Sequence, residues 1–275
     1  MTTLNAASRD AFAEAERRLL AELDGATAET AAGLGEDLSA VARLLGRESG
    51  LRRAIADASA EAATREGLIR AVLGEKVGER AFVVLAAVVT ARWSSPRELV
   101  HGIVLLGRTA LLIGAEKDTR LDAVEDELFR LGRIVANQPD LERLLADPAG
   151  NVGGKTTLVR GLLSDKVEPV TLSLVEDLLH RWRGGDVVAE IDELAGAAAA
   201  RRERSVAYVR TAIALTEAQQ TRLIATLSRI YARQVALHLE VDPTVRGGLL
   251  IRIGDEVIDG TATGRLAALG RRLAG

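Results

Sequence analysis

The chain has 275 residues, 48% hydrophobic and 27% charged, which is long enough for two or three domains with buried cores and too apolar for a disordered or fibrous protein. Its 36 basic and 39 acidic residues leave a formal charge of −3, so the balance calls for no nucleic acid partner. The absence of cysteine excludes disulfides, thiolate nucleophiles, iron–sulfur clusters and cysteine-type zinc sites. The sign is uneven along the chain. From Arg201 onward there are 12 Arg and 7 Asp plus Glu, a net of +5, so residues 1–200 carry −8. An acidic body and a basic tail point to different partners.

The first ten residues, Met1 to Asp10, lack the basic-then-apolar order of a secretory signal. The longest uncharged apolar stretch runs from Ala81 to Ala91, too short to span a bilayer as a helix. The expectation is a soluble protein, or one held at a membrane only by other proteins. With seven aromatic residues and abundant Ala and Leu, the composition favours helices packed on helices.

Up to about Arg204 the apolar spacing is helical. Phe12, Ala15, Leu19 and Leu23 share one face, as do Leu121, Val124, Leu128, Leu131 and Val135. Breaks are expected at Gly46–Gly50, Gly74–Gly78, Ser94–Pro96, Pro139, Pro148–Gly154 and Gly184–Gly185. Within this stretch the chain repeats itself without gaps at an offset of 90. Leu38, Arg43, Leu51, Arg53, Ala56 and Asp57 recur as Leu128, Arg133, Leu141, Arg143, Ala146 and Asp147; Leu68, Arg70, Leu73, Lys76 and Val77 recur as Leu158, Arg160, Leu163, Lys166 and Val167. These are 11 identities over the 40 positions 38–77, where composition alone would give roughly 4. Apolar character persists where identity fails, as in Leu45/Val135, Ile55/Leu145, Ile69/Val159 and Leu85/Val175. Two copies of one helical unit, 1–115 and 116–204, are the expected body.

Gly153-Gly154-Lys155-Thr156-Thr157 has the look of the end of a phosphate-binding loop. Such a loop needs a glycine five residues before Gly154, after a buried strand. Position 149 is Ala, and the preceding Leu141–Ala146 is helical by pattern. The other copy carries Thr64-Arg65-Glu66 at the aligned positions, with no nucleotide-binding character. The segment reads as a loop leading into a helix from Thr157 to Ser164. His101, His180 and His238 have no metal-ligand spacing and read as surface or boundary side chains. Carboxylates such as Glu125-Asp126-Glu127 describe solvated helix faces, and Arg201-Arg-Glu-Arg204 an exposed helix end. No catalytic residue, metal ligand or cofactor site is assigned.

After Arg204 the period changes. Val206–Ile213 reads as a strand, Glu217–Arg233 as a helix, and Val235, Leu237, Leu239 and Val241 alternate with polar or small residues as in a half-buried strand. Leu249–Ile253 and Val257-Ile258 form a hairpin about Gly254-Asp255-Glu256, with Asp259-Gly260 as a second turn and a last helix from about Thr263. The fold class is mainly α: a duplicated N-terminal helical bundle, then a small α/β module over 205–275.

The segment from Val241 to Leu266 resembles the C-terminal signature of the delta subunit of F-type ATP synthases, the family that includes the mitochondrial oligomycin-sensitivity-conferring protein. The likeness runs through Asp242-Pro243, Gly247-Gly248, Arg252, Gly254-Asp255, Val257-Ile258-Asp259-Gly260 and Arg265-Leu266. These are scaffold residues in character: Pro243 stops a strand, Gly247-Gly248 allow close backbone re-entry, and the Gly-Asp and Asp-Gly pairs turn the chain. The second helical copy resembles the family's N-terminal bundle through Pro139, Leu141, Leu145, Pro148, Lys155 and Leu162-Leu163. Thr244 and Arg246 depart from the usual pattern, and the extra copy resembles the enlarged actinobacterial form.

The resemblance implies a non-catalytic stator connector of a rotary, proton-driven ATP synthase. Its helical part would bind N-terminal segments of the alpha subunits, with beta a further candidate contact, and its tail would grip peripheral-stalk subunit b. It implies no cofactor, no nucleic acid, and a peripheral place on the cytoplasmic side of the cell membrane, held there by the complex. A stand-alone regulatory adaptor with two helical repeats is the alternative.

Overall fold

A computed structural model describes residues 4–182, 184–204, 206–231, 235–242, 245, 247–253 and 256–261. Contacts divide the chain into two compact units, Met1–Ala198 and Ala199–Gly275. The first unit is helical: α1 (Ala6–Leu23), α2 (Ala28–Arg47), α3 (Ser49–Ala56), α4 (Ala62–Leu73), α5 (Glu79–Thr90), α6 (Pro96–Lys117), α7 (Leu121–Ala136), α8 (Pro139–Ala146), α9 (Val152–Leu163), α10 (Pro169–Arg181) and α11 (Val187–Arg204), which runs on from it into the second unit. Local chemistry sets several starts. The Thr27 hydroxyl accepts the Thr30 N–H before α2, and Ser95 accepts the Glu98 N–H before α6, where Pro96 supplies a preset φ.

The offset of 90 holds in the folded chain. Both limits of α3 and α4 recur 90 residues later in α8 and α9, and α1 and α6 begin 90 apart. Helix α6 therefore closes the first series of helices and opens the second. Asp37 accepts the N–H of Gly78 at the start of α5, and Glu127, 90 residues on, accepts that of Glu168 at the start of α10. Asp57 and Asp147 each accept the N–H two residues ahead, turning the chain after α3 and α8.

Two apolar cores fill this unit. The first gathers Leu38, Leu45, Ile55, Ile69, Leu85 and Val89, and the second gathers their counterparts Leu128, Val135, Leu145, Val159, Val175 and Leu179. Each such side chain stabilises by about 1.5–3 kcal/mol on burial. Helix α6 serves both, with Leu99, Ile103, Leu106 and Ala110 in the first core and Leu111, Leu112 and Ala115 in the second. It is the one helix among the described residues long and apolar enough to cross a bilayer, but most of its apolar window is buried among its neighbours.

The copies differ in how their long helices meet. Helices α2 and α6 pack closely because Gly35 faces α6: a Cβ there would lie 2.7 Å from Leu111 Cγ and 2.9 Å from the Gly107 carbonyl oxygen. At the matching positions of the second copy stand Glu125 and Ala197. Helices α7 and α11 meet at Gly132, where a Cβ would come 2.7 Å from Asp192 Oδ1. Ser39, buried against α6, is matched by Phe129, which is 55% exposed.

The second unit is a mixed four-stranded sheet, β1 (Val206–Thr211), β2 (Ala236–Val241), β3 (Leu249–Ile253) and β4 (Glu256–Asp259), in the order β2-β1-β3-β4. Helix α12 (Glu217–Ile230) joins the parallel pair β1 and β2, while β3 runs antiparallel to β1 and β4 to β3. A reciprocal cap between Thr216 and Gln219 starts α12. Ala207, Val209, Leu227, Val235, Ile251 and Ile253 form the core. Helix α12 ends at Ile230, before the expected Arg233, and Glu256 belongs to β4 rather than to the turn. The expected last helix from Thr263 lies outside the described residues.

Candidate docking surfaces

The Gly153–Thr157 segment is helix, not loop. Asn151 caps α9 by accepting the Gly154 N–H, so the turn begins at Val152 and the expected loop ends three residues before Gly154. The Lys155 side chain is buried and its ammonium donates to the carbonyl oxygens of Leu145, at 2.8 Å, and Asp147. It closes the C-terminal end of α8, where unpaired carbonyls and the helix dipole favour a cation. Arg65, its counterpart in the first copy, is buried as well and donates to Thr90 and Ala91 at the end of α5. Both cations are spent on backbone.

Among the described residues no group of three or more His, Asp or Glu is placed to hold a metal. His101 and His180 are half-buried within the helical unit, and His238 lies on the sheet with its ring centroid 5.3 Å from that of Tyr208.

What the second copy does offer is apolar surface. Phe129 and Ile134 on α7 are each 55% exposed, and Leu144, Leu158 and Leu162 on α8 and α9 are also open to solvent. Leu158 and Leu162 stand one turn apart on one face of α9, and Leu144 and Leu158 line a common hollow rimmed by Asp140, Arg143 and Asn151. In the first copy the same positions carry buried Ser39, half-buried Leu44, small Ala54, and Leu68 and Val72 packed against the core. Periodicity alone does not reveal this patch, because exposed and buried leucines look alike in sequence. The Ser39/Phe129 mismatch in the repeat was the available signal.

The tail positions singled out from sequence cluster at one end of the sheet and across its face. Gly247 and Gly248 have φ of +67° and +85°, and a Cβ on Gly248 would overlap the carbonyl oxygen of Gly260. The Gly260 N–H in turn donates to the Leu249 carbonyl at 2.9 Å. The Asp259 carboxylate accepts from the hydroxyl and the N–H of Thr261, which hold its pKa below the ordinary carboxyl value. Asp242 donates its N–H to Thr211 and lies 3.6 Å from Arg210. The Arg252 guanidinium sits 4.9 Å from the Tyr208 ring centroid. Ile258 packs on the core and Val257 is 57% exposed. Pro243, Gly254, Asp255, Arg265 and Leu266 lie outside the described residues. The face bearing Tyr208, Arg210, His238, Leu250, Arg252 and Val257 surrounds a shallow hollow on the side of the sheet opposite its core.

Comparison with known proteins matches residues 109–273 to the family described as ATP synthase delta (OSCP) subunit, beginning inside α6 and covering the second copy and the sheet. The chain is 47% identical to the ATP synthase subunit delta of Nocardia farcinica, over 98% of this chain and 99% of the relative. It is 42% identical to that of Rhodococcus opacus, over 99% and 100%, and 41% identical to that of Streptomyces griseus, over 99% and 100%. With such similarity along nearly its whole length, the chain belongs to the ATP synthase delta (OSCP) subunit family, non-catalytic components of a membrane-bound ATP synthase complex.

Proposed function

We propose that this chain is the stator connector of the complex, joining the catalytic head to the peripheral stalk so that the head does not turn with the rotor. The observation that carries the reading is the exposed apolar surface on α7, α8 and α9, in the copy that the family model covers. An amphipathic helix is the occupant such a surface suits: apolar anchors between helices, with a polar rim of Asp140, Arg143 and Asn151. N-terminal segments of the alpha subunits are that helix in our reading, with beta a further candidate contact. The copy over 116–204 does the docking, and the copy over 1–115 braces it through α6. The module over 205–275 holds subunit b on the sheet face around Tyr208 and Arg252, shaped by the signature from Asp242 to Leu266. The protein then sits peripherally on the cytoplasmic side of the cell membrane, held by its partners. It takes no cofactor and binds no nucleic acid.

The test is recovery of a tagged chain from membranes. Alpha, beta and b subunits should come with it, and none coming down would sink the proposal. Gly248→Val should release b while keeping the head subunits, because the strain is confined to the sheet module. A Gly248→Val chain that still carries b, with an unchanged melting profile, would remove the sheet from the b contact.

A further inference from the structure

Helices α2, α6 and α10 converge within the helical unit on a cleft of about 210 Å³ lined by Arg43, Arg47, Arg97, His101, His180 and Arg181, with no carboxylate in its lining. One anion lies beneath it. The buried Asp177 carboxylate is 3.4 Å from Arg43 Nη1 and 3.1 Å from Arg181 Nε. That satisfies only part of the positive charge. Arg181 Nη2 is buried with no hydrogen-bond partner, and among the described residues the Arg47 and Arg97 side chains make no hydrogen bond or ion pair. Glu176, the nearest other carboxylate on α10, gives both oxygens to Arg160 at 2.8 and 2.7 Å. Arg108 on α6, its Nε buried, adds a further positive charge that acts on His101 and Arg181. Its guanidinium is pushed down to about 10 by burial and by Arg181, and Asp177, Glu190 and Glu193 oppose the shift.

Four guanidiniums around one small hollow repel one another unless something negative sits among them. Arginine is also the side chain whose planar fork fits tetrahedral oxyanions with paired hydrogen bonds. The volume is below that of pockets that enclose nucleotides or drug-sized ligands, but ample for one phosphoryl group with water. We propose that this cleft binds a phosphate-class dianion, and that the bound anion ties α2 of the first copy to α10 of the second. The source is either free phosphate or the terminal phosphoryl group of a small molecule.

The histidines add a pH signature. His101 is held below the ordinary histidine value chiefly by burial, then by Arg108 and Arg181, against Glu193 and Glu98. His180 is lowered by burial, Arg43 and Arg47, against Asp177 and Glu176. Both are neutral near pH 7. As pH falls each can take a proton, more readily with an anion in the cleft, so binding of an anion of constant charge strengthens.

Titration calorimetry on the full chain at fixed ionic strength tests this, with inorganic phosphate and glycerol phosphate as probes and chloride as control. Saturable heat with free phosphate, or with glycerol phosphate alone, supports the site and tells the two sources apart. Arg47→Gln with Arg97→Gln, both exposed, should weaken binding at least about tenfold, with an unchanged melting curve in chloride. Arg17→Gln on α1 should leave binding unaltered. Sulfate should bind more tightly at about pH 5.5 than at about pH 7.5, and His101→Gln with His180→Gln should remove that difference. No saturable heat with either phosphate probe, or equal affinity in the Arg47/Arg97 double variant, would overturn the proposal.

Discussion

The two helical copies share a backbone plan and differ in what they cover. In the first, glycines let α2 lie against α6 and bury Ser39; in the second, Glu125 and Ala197 stand where Gly35 and Gly107 were, the long helices meet at Gly132, and Phe129 is left exposed. The interior positions change least: Leu38/Leu128, Ile55/Leu145 and Ile69/Val159 stay apolar and buried. Duplication kept the core, and divergence went into the faces where helices meet each other or a partner. Among the described residues the first copy exposes one large apolar side chain, Leu20 on α1, whereas the second exposes Phe129, Ile134, Leu144, Leu158 and Leu162.

The largest test of this contrast is Gly35→Val. With Leu111 and the α6 backbone under 3 Å from a new Cβ, the helices must separate, at a cost of roughly 3 kcal/mol, and calorimetric melting of the helical unit should fall by on the order of 10 °C. Unchanged melting would mean that close packing is not what distinguishes the first copy.

Next comes an exchange of residues between copies. Phe129→Ser with Leu162→Ser should weaken capture of the head subunits by about 2 kcal/mol, roughly thirtyfold, while leaving melting nearly unchanged. Ser39→Phe should do the reverse, lowering stability through overpacking against α6 without touching binding. If both changes act on stability alone, the open copy is not the docking copy.

Lys155→Met should lower stability by about 1–2 kcal/mol, because the Leu145 and Asp147 carbonyls lose the ammonium, leaving Asp147 only the Gly150 N–H. Arg65→Met should do likewise at the end of α5. Nucleotide titration should give the same result for the parent chain and for Lys155→Met. Lys155-dependent ATP binding would contradict the backbone role.

The smallest effect expected is on pH. His101 and His180 have folded values below the ordinary 6.5, so below that pH the unfolded chain takes up protons that the folded chain refuses. Stability from these groups is full above about 6.5 and declines as pH falls from there toward the folded values. Melting temperature in chloride should drop across that interval, and His101→Gln should shallow the drop. Added phosphate should offset it, if the cleft is filled.

Much of the plan was legible in sequence because it rests on periodicity. The repeat at 90, the helical faces from Leu121 to Val135, and the β-α-β-β order after Val206 are local patterns with a direct physical cause. The start of α9 was misplaced because two glycines looked like a loop, whereas one side chain, Asn151, is enough to start a helix that runs through them. The arginine cleft was out of reach for another reason. Arg43, Arg97 and Arg181 come from three helices, and only packing brings them together. Apolar docking residues are hidden in a third way, since Leu162 and Leu163 differ in burial and not in kind.

The helix that both copies share sets the grammar of the repeat. Because α6 begins 90 residues after α1 and stands in its place in the second series, the tandem is not two bricks joined by mortar but a chain of links, each closing on the next. Excising one period, from Ala6 through Ser95, would leave α6 in the position of α1 and every later chain connection in place, while removing α2 and its Arg43–Asp177 ion pair to α10. The edit would shorten the protein by one link and preserve its reading order. The product would be a single-bundle subunit with its sheet module attached, reached in one in-frame step. Cutting instead at residue 115 would strip the second core of Leu111 and Leu112. A cut in front of α6 would in turn strip the first core of Leu99, Ile103, Leu106 and Ala110, so α6 belongs to both bundles at once.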